Sequence, residues 1–286
     1  MTEYTDHYGP DGLRTRGTII VVPGRGETRT TYTRLGRRLA ADAYRVRVVD
    51  APFIDTRAAT APQTGTADTD TDTDTDTDTD TDTAGIDTGD LAGSLDRFGR
   101  RLAEAVADTA ADDGVVRPVV LVGADTGAVA VAALLGREAP AVFRPDAVVL
   151  AGLPGGAVAT TGTWDEELDV RTSCPAHRGT LTDDTQVRRG SLGDAVPDAL
   201  LRAAFDSEAD VPALLLVGDT DPLADRDALV RATKSLPRAR LSVVRGAHHD
   251  VLNDVQHRSV AAEIVTFLET LRNELVPVVA VESSAW

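Results

Sequence analysis

The chain has 286 residues, 42% of them hydrophobic, with 46 acidic against 29 basic side chains and a formal net charge of −17 at pH 7. That length suits one large α/β domain or two small ones. The acidity argues against nucleic-acid or anionic-membrane partners, whose phosphates need clustered Lys and Arg. The single cysteine, Cys174, excludes an internal disulfide and any multi-cysteine metal site.

No apolar run approaches the roughly 18 residues of a membrane span, and residues 1–16 are polar and partly acidic, unlike a secretory signal. A cytoplasmic location is therefore expected. Lys234 is the only lysine, and aspartate far exceeds glutamate. Such a carboxylate-rich balance fits a salt-rich cytoplasm, where it keeps a protein hydrated.

In chain order, the β-branched run Thr18 to Val22 reads as a strand, and Pro23-Gly24-Arg25-Gly26-Glu27 as a tight loop. Tyr32 to Tyr44 places Tyr32, Leu35, Leu39 and Ala40 at helical spacing with arginines on another face. Arg45 to Val49 is a second strand, ending at Asp50-Ala51-Pro52. Residues 54–90 are low-complexity, with Asp-Thr repeated eight times within 66–83, too polar and too like-charged to order. Leu91 to Ala111 reads as a helix whose stripe of Leu91, Leu95, Phe98, Leu102 and Val106 faces the core.

Val119 to Val122 is a doubly buried strand by composition, and Thr126 to Leu135 a helix. Ala147 to Ala151 follows as another strand. Residues 155–210 break the alternation, with a helical segment near Pro197 to Phe205 and the size of a cap insertion. Strand Ala213 to Val217, a helix near Asp225 to Leu236, strand Arg240 to Val244 and helix Val255 to Leu271 complete the body. The apolar tail, 276–286, is placed to pack on that body or to meet another chain. About six buried strands alternating with helices predict one α/β domain with a mainly parallel, doubly wound sheet. Ligands of such sheets lie at the carboxyl ends of strands.

Three loops at those ends carry chemistry. Gly123-Ala124-Asp125-Thr126-Gly127 has the spacing Gly-x-nucleophile-x-Gly between strand and helix. Gly218-Asp219-Thr220-Asp221-Pro222 supplies an acid, and Gly246-Ala247-His248-His249-Asp250 a histidine. Nucleophile, acid and histidine then follow in the chain order given for α/β-hydrolases.

On these residues, and on Pro23 to Glu27 with Tyr32, the chain resembles the α/β-hydrolase superfamily over roughly residues 17–272, nearest its serine aminopeptidase and monoglyceride-lipase-like branch. The resemblance implies that fold with a short cap at 155–210 and a small-molecule substrate, with no cofactor and no metal. It implies a triad of Asp125, Asp221 and His249, the pattern Gly-Ala-x-His favouring His249 over His248. The backbone N–H groups of Arg25 and Thr126 would form the oxyanion hole. In the cap, Trp164, His177 and Arg178 are candidate substrate contacts. Two departures stand out: Pro23 replaces a histidine of the branch, and Asp125 replaces its serine.

An aspartate is ionised at neutral pH and needs no base to activate it. Attack on an sp³ carbon would give a covalent ester that water, activated by His249, then cleaves. Haloalkane dehalogenases and epoxide hydrolases of this fold work in this way, but the tryptophan or arginine that follows the aspartate in dehalogenases is Thr126 here. The tyrosines (Tyr4, Tyr8, Tyr32 and Tyr44) all lie outside the cap. Two alternatives stay open: an esterase or lysophospholipase-like enzyme with another nucleophile, and a non-catalytic binding protein of the same fold.

Overall fold

In a computed structural model, residues 4–54, 89–112, 114–137 and 143–284 are described. The Asp-Thr repeat lies outside them. Seven strands form one sheet: β1 (Thr5–His7), β2 (Gly17–Val22), β3 (Tyr44–Val48), β4 (Val119–Ala124), β5 (Ala147–Ala151), β6 (Ala213–Gly218) and β7 (Ala239–Val244). Their order is β1-β3-β2-β4-β5-β6-β7, parallel throughout except that β1 pairs antiparallel with β3.

Every residue of β2, β4, β5 and β6 is buried, as their unbroken apolar runs demand when helices cover both faces. Helices α1 (Thr33–Ala41) and α8 (His257–Leu271) close one face over Leu35, Leu39, Val260, Ile264 and Phe267. On the other face lie α2 (Gly89–Ala107), α3 (Thr126–Leu135), α6 (Asp198–Phe205) and α7 (Arg226–Ser235).

Two details differ from the sequence reading. β7 is only partly buried, because it is the sheet edge. The polar Thr5–His7 also joins the sheet, since Asp6 there takes a fork of hydrogen bonds from Arg47 of β3 at 2.7 Å each. Polar side chains that pair across strands carry no apolar signal.

The stretch 155–210 holds α4 (Trp164–Arg171), α5 (Pro175–Asp183), a 3₁₀ turn (Ser191–Gly193) and α6. Leu200, Leu201 and Ala204 of α6 belong to the main core. The end of α4 instead meets the carboxyl ends of the strands, where Val170 and Arg171 carbonyls accept hydrogen bonds from His249 and Asp250 N–H. The tail side chains Val276, Val278, Val279 and Val281 are exposed. Among the described residues, no helix is long and apolar enough to cross a membrane.

The strand order reverses between β2 and β4, which are neighbours although β3 intervenes in sequence. A crevice is expected at such a switch point. Arg25 and Asp125 each follow one of these two strands.

Candidate active site

Asp125 sits between β4 and α3 with φ +46° and ψ −122°, a strained backbone for any residue with a Cβ. The flanking glycines permit the turn. A Cβ on Gly123 would lie 2.6 Å from Ala128 Cα, and one on Gly127 2.5 Å from the Val22 and Pro23 carbonyls. The turn raises the Asp125 carboxylate toward His249, whose Nε2 lies 3.2 Å from Oδ1. On the other side of the ring, Nδ1 lies 2.9 Å from Asp221 Oδ2, while Asp221 Oδ1 accepts the Leu223 N–H. His248 turns away to Asp254.

Arg25 engages Asp125 twice. Its backbone N–H donates to Oδ2 at 2.7 Å, and its guanidinium forks across both oxygens, Nε to Oδ2 and Nη2 to Oδ1 at 2.9 Å each. Nη1 donates onward to the Asp194 carbonyl at 2.5 Å. The Thr126 N–H makes no hydrogen bond among the described residues.

All four groups are buried. Burial alone would raise the Asp125 pKa, but the hydrogen bond and charge of His249 and the charge of Arg25 outweigh it and hold the carboxyl well below its usual range. Burial would likewise lower His249, yet Asp221 and Asp125 on either side push it up to about 10. At neutral pH, His249 is an imidazolium between two carboxylates, and Arg25 completes a neutral chain of four charges.

The cavity beside Asp125, bounded by Glu27, Tyr32, Ala151, His249 and Asp250, measures about 10 Å³. That is at or below the room a single water requires. The Arg25 guanidinium occupies the approach to Oδ1.

A second buried set, which sequence reasoning missed, supports this one from behind. Arg171 at the end of α4 binds Glu167 Oε1 one turn earlier at 2.9 Å, donates to the Arg25 carbonyl at 3.0 Å and to Ser191 Oγ at 2.9 Å, and has Asp250 at 3.5 Å. Ser191 Oγ also donates to the Arg25 carbonyl at 3.1 Å. The Arg25 main chain is thus held at its N–H by Asp125 and at its carbonyl by Arg171 and Ser191. Glu27 accepts from Gly24 N–H at 2.8 Å and from the Tyr32 hydroxyl, and burial together with the Asp250 charge pushes its carboxyl up to about 7. The available signals were the i,i+4 spacing of Glu167 and Arg171 and the place of Glu27 in the Pro23 to Glu27 loop.

The three cap candidates go different ways. His177 is buried in this second set, with Nε2 at 2.9 Å from Asp250. Trp164 donates to Thr182 and stacks against Arg189, and Arg178 pairs with Asp169, so neither joins the triad. Glu27, His177 and Asp250 place possible ligand atoms within 4.8 Å of one another. Asp250 is already spanned by His177 and the Arg171 guanidinium, so a cation there would displace existing partners. Of the serines, Ser173 hydrogen-bonds Asp254, and Ser191 hydrogen-bonds the Arg25 carbonyl and Glu167.

No protein-family model and no curated protein matches this chain. Solved structures do. A monoacylglycerol lipase from Paleococcus ferrophilus matches with TM-score 0.62 and 16% identity over 95% of this chain and 99% of that one. A monoglyceride lipase from Saccharomyces cerevisiae gives 0.63 and 15% over 94% and 91%. An enol-lactonase from Burkholderia xenovorans gives 0.57 and 16% over 93% and 96%. The chain has the α/β-hydrolase fold. Monoglyceride lipases are among its structural likenesses.

Proposed function

We propose that this chain is a hydrolase that attacks an sp³ carbon of a small organic substrate with Asp125 and completes the reaction through His249. The observation that carries the reading is the placement of the two carboxylate oxygens. Oδ1 faces His249 Nε2 at 3.2 Å, while Oδ2 rests on the Arg25 N–H at 2.7 Å.

Oδ1 forms the new C–O bond as the leaving group departs with its electron pair. The resulting ester has lost the negative charge of Asp125, one of the influences that hold His249 protonated. The imidazole pKa therefore falls, His249 gives up its proton to the departing group or to solvent, and the neutral ring is the base for the second half-reaction. It takes a proton from water, which adds to Asp125 Cγ, and the oxyanion develops on Oδ2 against the Arg25 N–H. On collapse the departing alkoxide takes the proton from His249 and leaves as the alcohol, and the new carboxyl at Asp125 ionises and returns its proton to His249. Asp221 holds the imidazole and its charge throughout. The Arg25 side chain must leave Oδ1 before substrate enters. Residues 164–193, whose Arg171 grips the Arg25 carbonyl, serve as the cover of the site.

The support for a covalent aspartate over a serine esterase is that the side chain facing His249 Nε2 from the turn between β4 and α3 is Asp125, not a serine. Attack by Asp125 on a carboxylic ester would yield an anhydride, so esters are poor candidates.

A second reading, a non-catalytic protein with this fold, is favoured by one observation: the guanidinium of Arg25 covers the nucleophile and the cavity holds almost no free volume. The two separate by trapping. His249→Gln, alone and combined with Arg25→Met, is incubated with haloalkanes and epoxides and weighed intact. Mass addition at Asp125, absent in Asp125→Asn, supports the hydrolase. No addition in either background supports the non-catalytic reading.

A further inference from the structure

On the opposite side of α1 from the sheet, the arginines set aside by the helical pattern meet the start of α8. Arg34, Arg37 and Arg38 follow the i, i+3, i+4 spacing that puts side chains on one helix face. Together with His257 and Arg258 they line a cavity of about 300 Å³, floored by Leu35, Leu252 and Ala261.

Among the described residues none of these four arginines is in an ion pair, in a chain where acidic side chains outnumber basic ones by 46 to 29. Several other arginines do have carboxylates: Arg45 and Arg47 share Asp6, Arg171 has Glu167 and Asp250, and Arg238 has Asp210. Arg34 is held in place by the Asn253 carbonyl and by Cys174 Sγ at 3.4 Å, with no negative charge in either contact. His257 Nδ1 is buried without a hydrogen-bond partner, and after burial the charges of Arg34, Arg258 and Arg38 depress its protonation further.

Four arginines around one cavity repel one another. A multivalent oxyanion relieves that repulsion, because the guanidinium fork matches phosphate geometry with two parallel hydrogen bonds. The α8 N-terminus adds a favourable dipole. Across Arg34 and Arg37 lies a second cavity of about 410 Å³, lined in part by Thr30, Thr31, Thr33 and Thr180. It would receive the polar body of a phosphate ester.

We infer that the α1–α8 cleft is a binding site for a phosphoryl dianion, gripped by Arg34, Arg37, Arg38 and Arg258. The inference does not depend on the chemistry at Asp125.

The test uses the full chain at the lowest KCl concentration that preserves its native circular dichroism. Inorganic phosphate is titrated calorimetrically, and in a separate arm the chain is floated with phosphatidylcholine vesicles with and without phosphatidic acid. Arg37 and Arg38 are exposed, so Arg37→Gln/Arg38→Gln removes charge without opening the core. The expected result is saturable binding, weakened at least tenfold in that variant and unchanged in the control Arg202→Gln/Arg231→Gln. Saturable phosphate binding assigns a soluble ligand, and capture only by phosphatidic acid vesicles assigns a lipid headgroup. No saturable binding in either arm, or equal loss in the control pair, overturns the inference.

Discussion

At position 125 one carboxylate on a strained backbone accepts three kinds of contact: a peptide N–H, a guanidinium fork and an imidazolium. Their consequence for pH can be stated with its sign. His249 is held above its unfolded value of about 6.5, so its stabilising contribution is complete below that pH. It is lost as pH rises through about 10. Asp125 is held below its unfolded value of about 3.9, so its contribution is present above that and is lost in acid. Chemical denaturation between pH 7 and 11 should show stability falling through that window in the native chain. In His249→Gln the fall should be much shallower. An equal alkaline loss in both proteins would remove the buried imidazolium. The sequence made it legible that Asp125, Asp221 and His249 meet at the strand ends, because loop order and glycine spacing are local. The Arg25 side chain was not legible: its loop was read for a backbone N–H, and no pattern tells where a long side chain will fold back.

Among the elements, α4 bears on the site more than its eight residues suggest. Its amphipathic pattern is weak, since it buries Glu167 and Arg171 rather than an apolar stripe. For that reason the sequence reading saw only an irregular insertion there. The continuous Val-rich strands and α3 were legible nearly to the residue, because burial on both faces leaves no polar positions to confuse the period. Replacing Arg171 by Met leaves Glu167 and Asp250 buried without their cation. Breaking a buried pair in this way costs about 3–5 kcal/mol. Urea unfolding should report a loss of that order, whereas Arg178→Met, whose partner Asp169 is exposed, should change stability little. Similar midpoints for the two variants would show that Arg171 does not anchor the Arg25 peptide.

For the whole molecule, the formal net charge of −17 sets the response to salt. Self-repulsion weakens as the screening length falls from about 10 Å at 0.1 M to about 3 Å at 1 M. The thermal midpoint should rise by several degrees or more between 0.1 and 2 M KCl. A flat or falling midpoint would contradict the salt-adapted reading of the composition. The three-layer architecture and the switch-point position of the site were accessible from strand–helix alternation. The α1–α8 cleft was not, because it is made by two helices more than two hundred residues apart.

The pairing of Arg25 with Asp125 also limits any attempt to engineer this scaffold toward ester chemistry. A hydroxyl placed at 125 would strand the guanidinium in a dry interior and leave His249 facing a competing cation. A serine there becomes a workable nucleophile only if residue 25 is shortened in the same step. The two positions, a hundred residues apart in the chain, therefore change identity together or not at all.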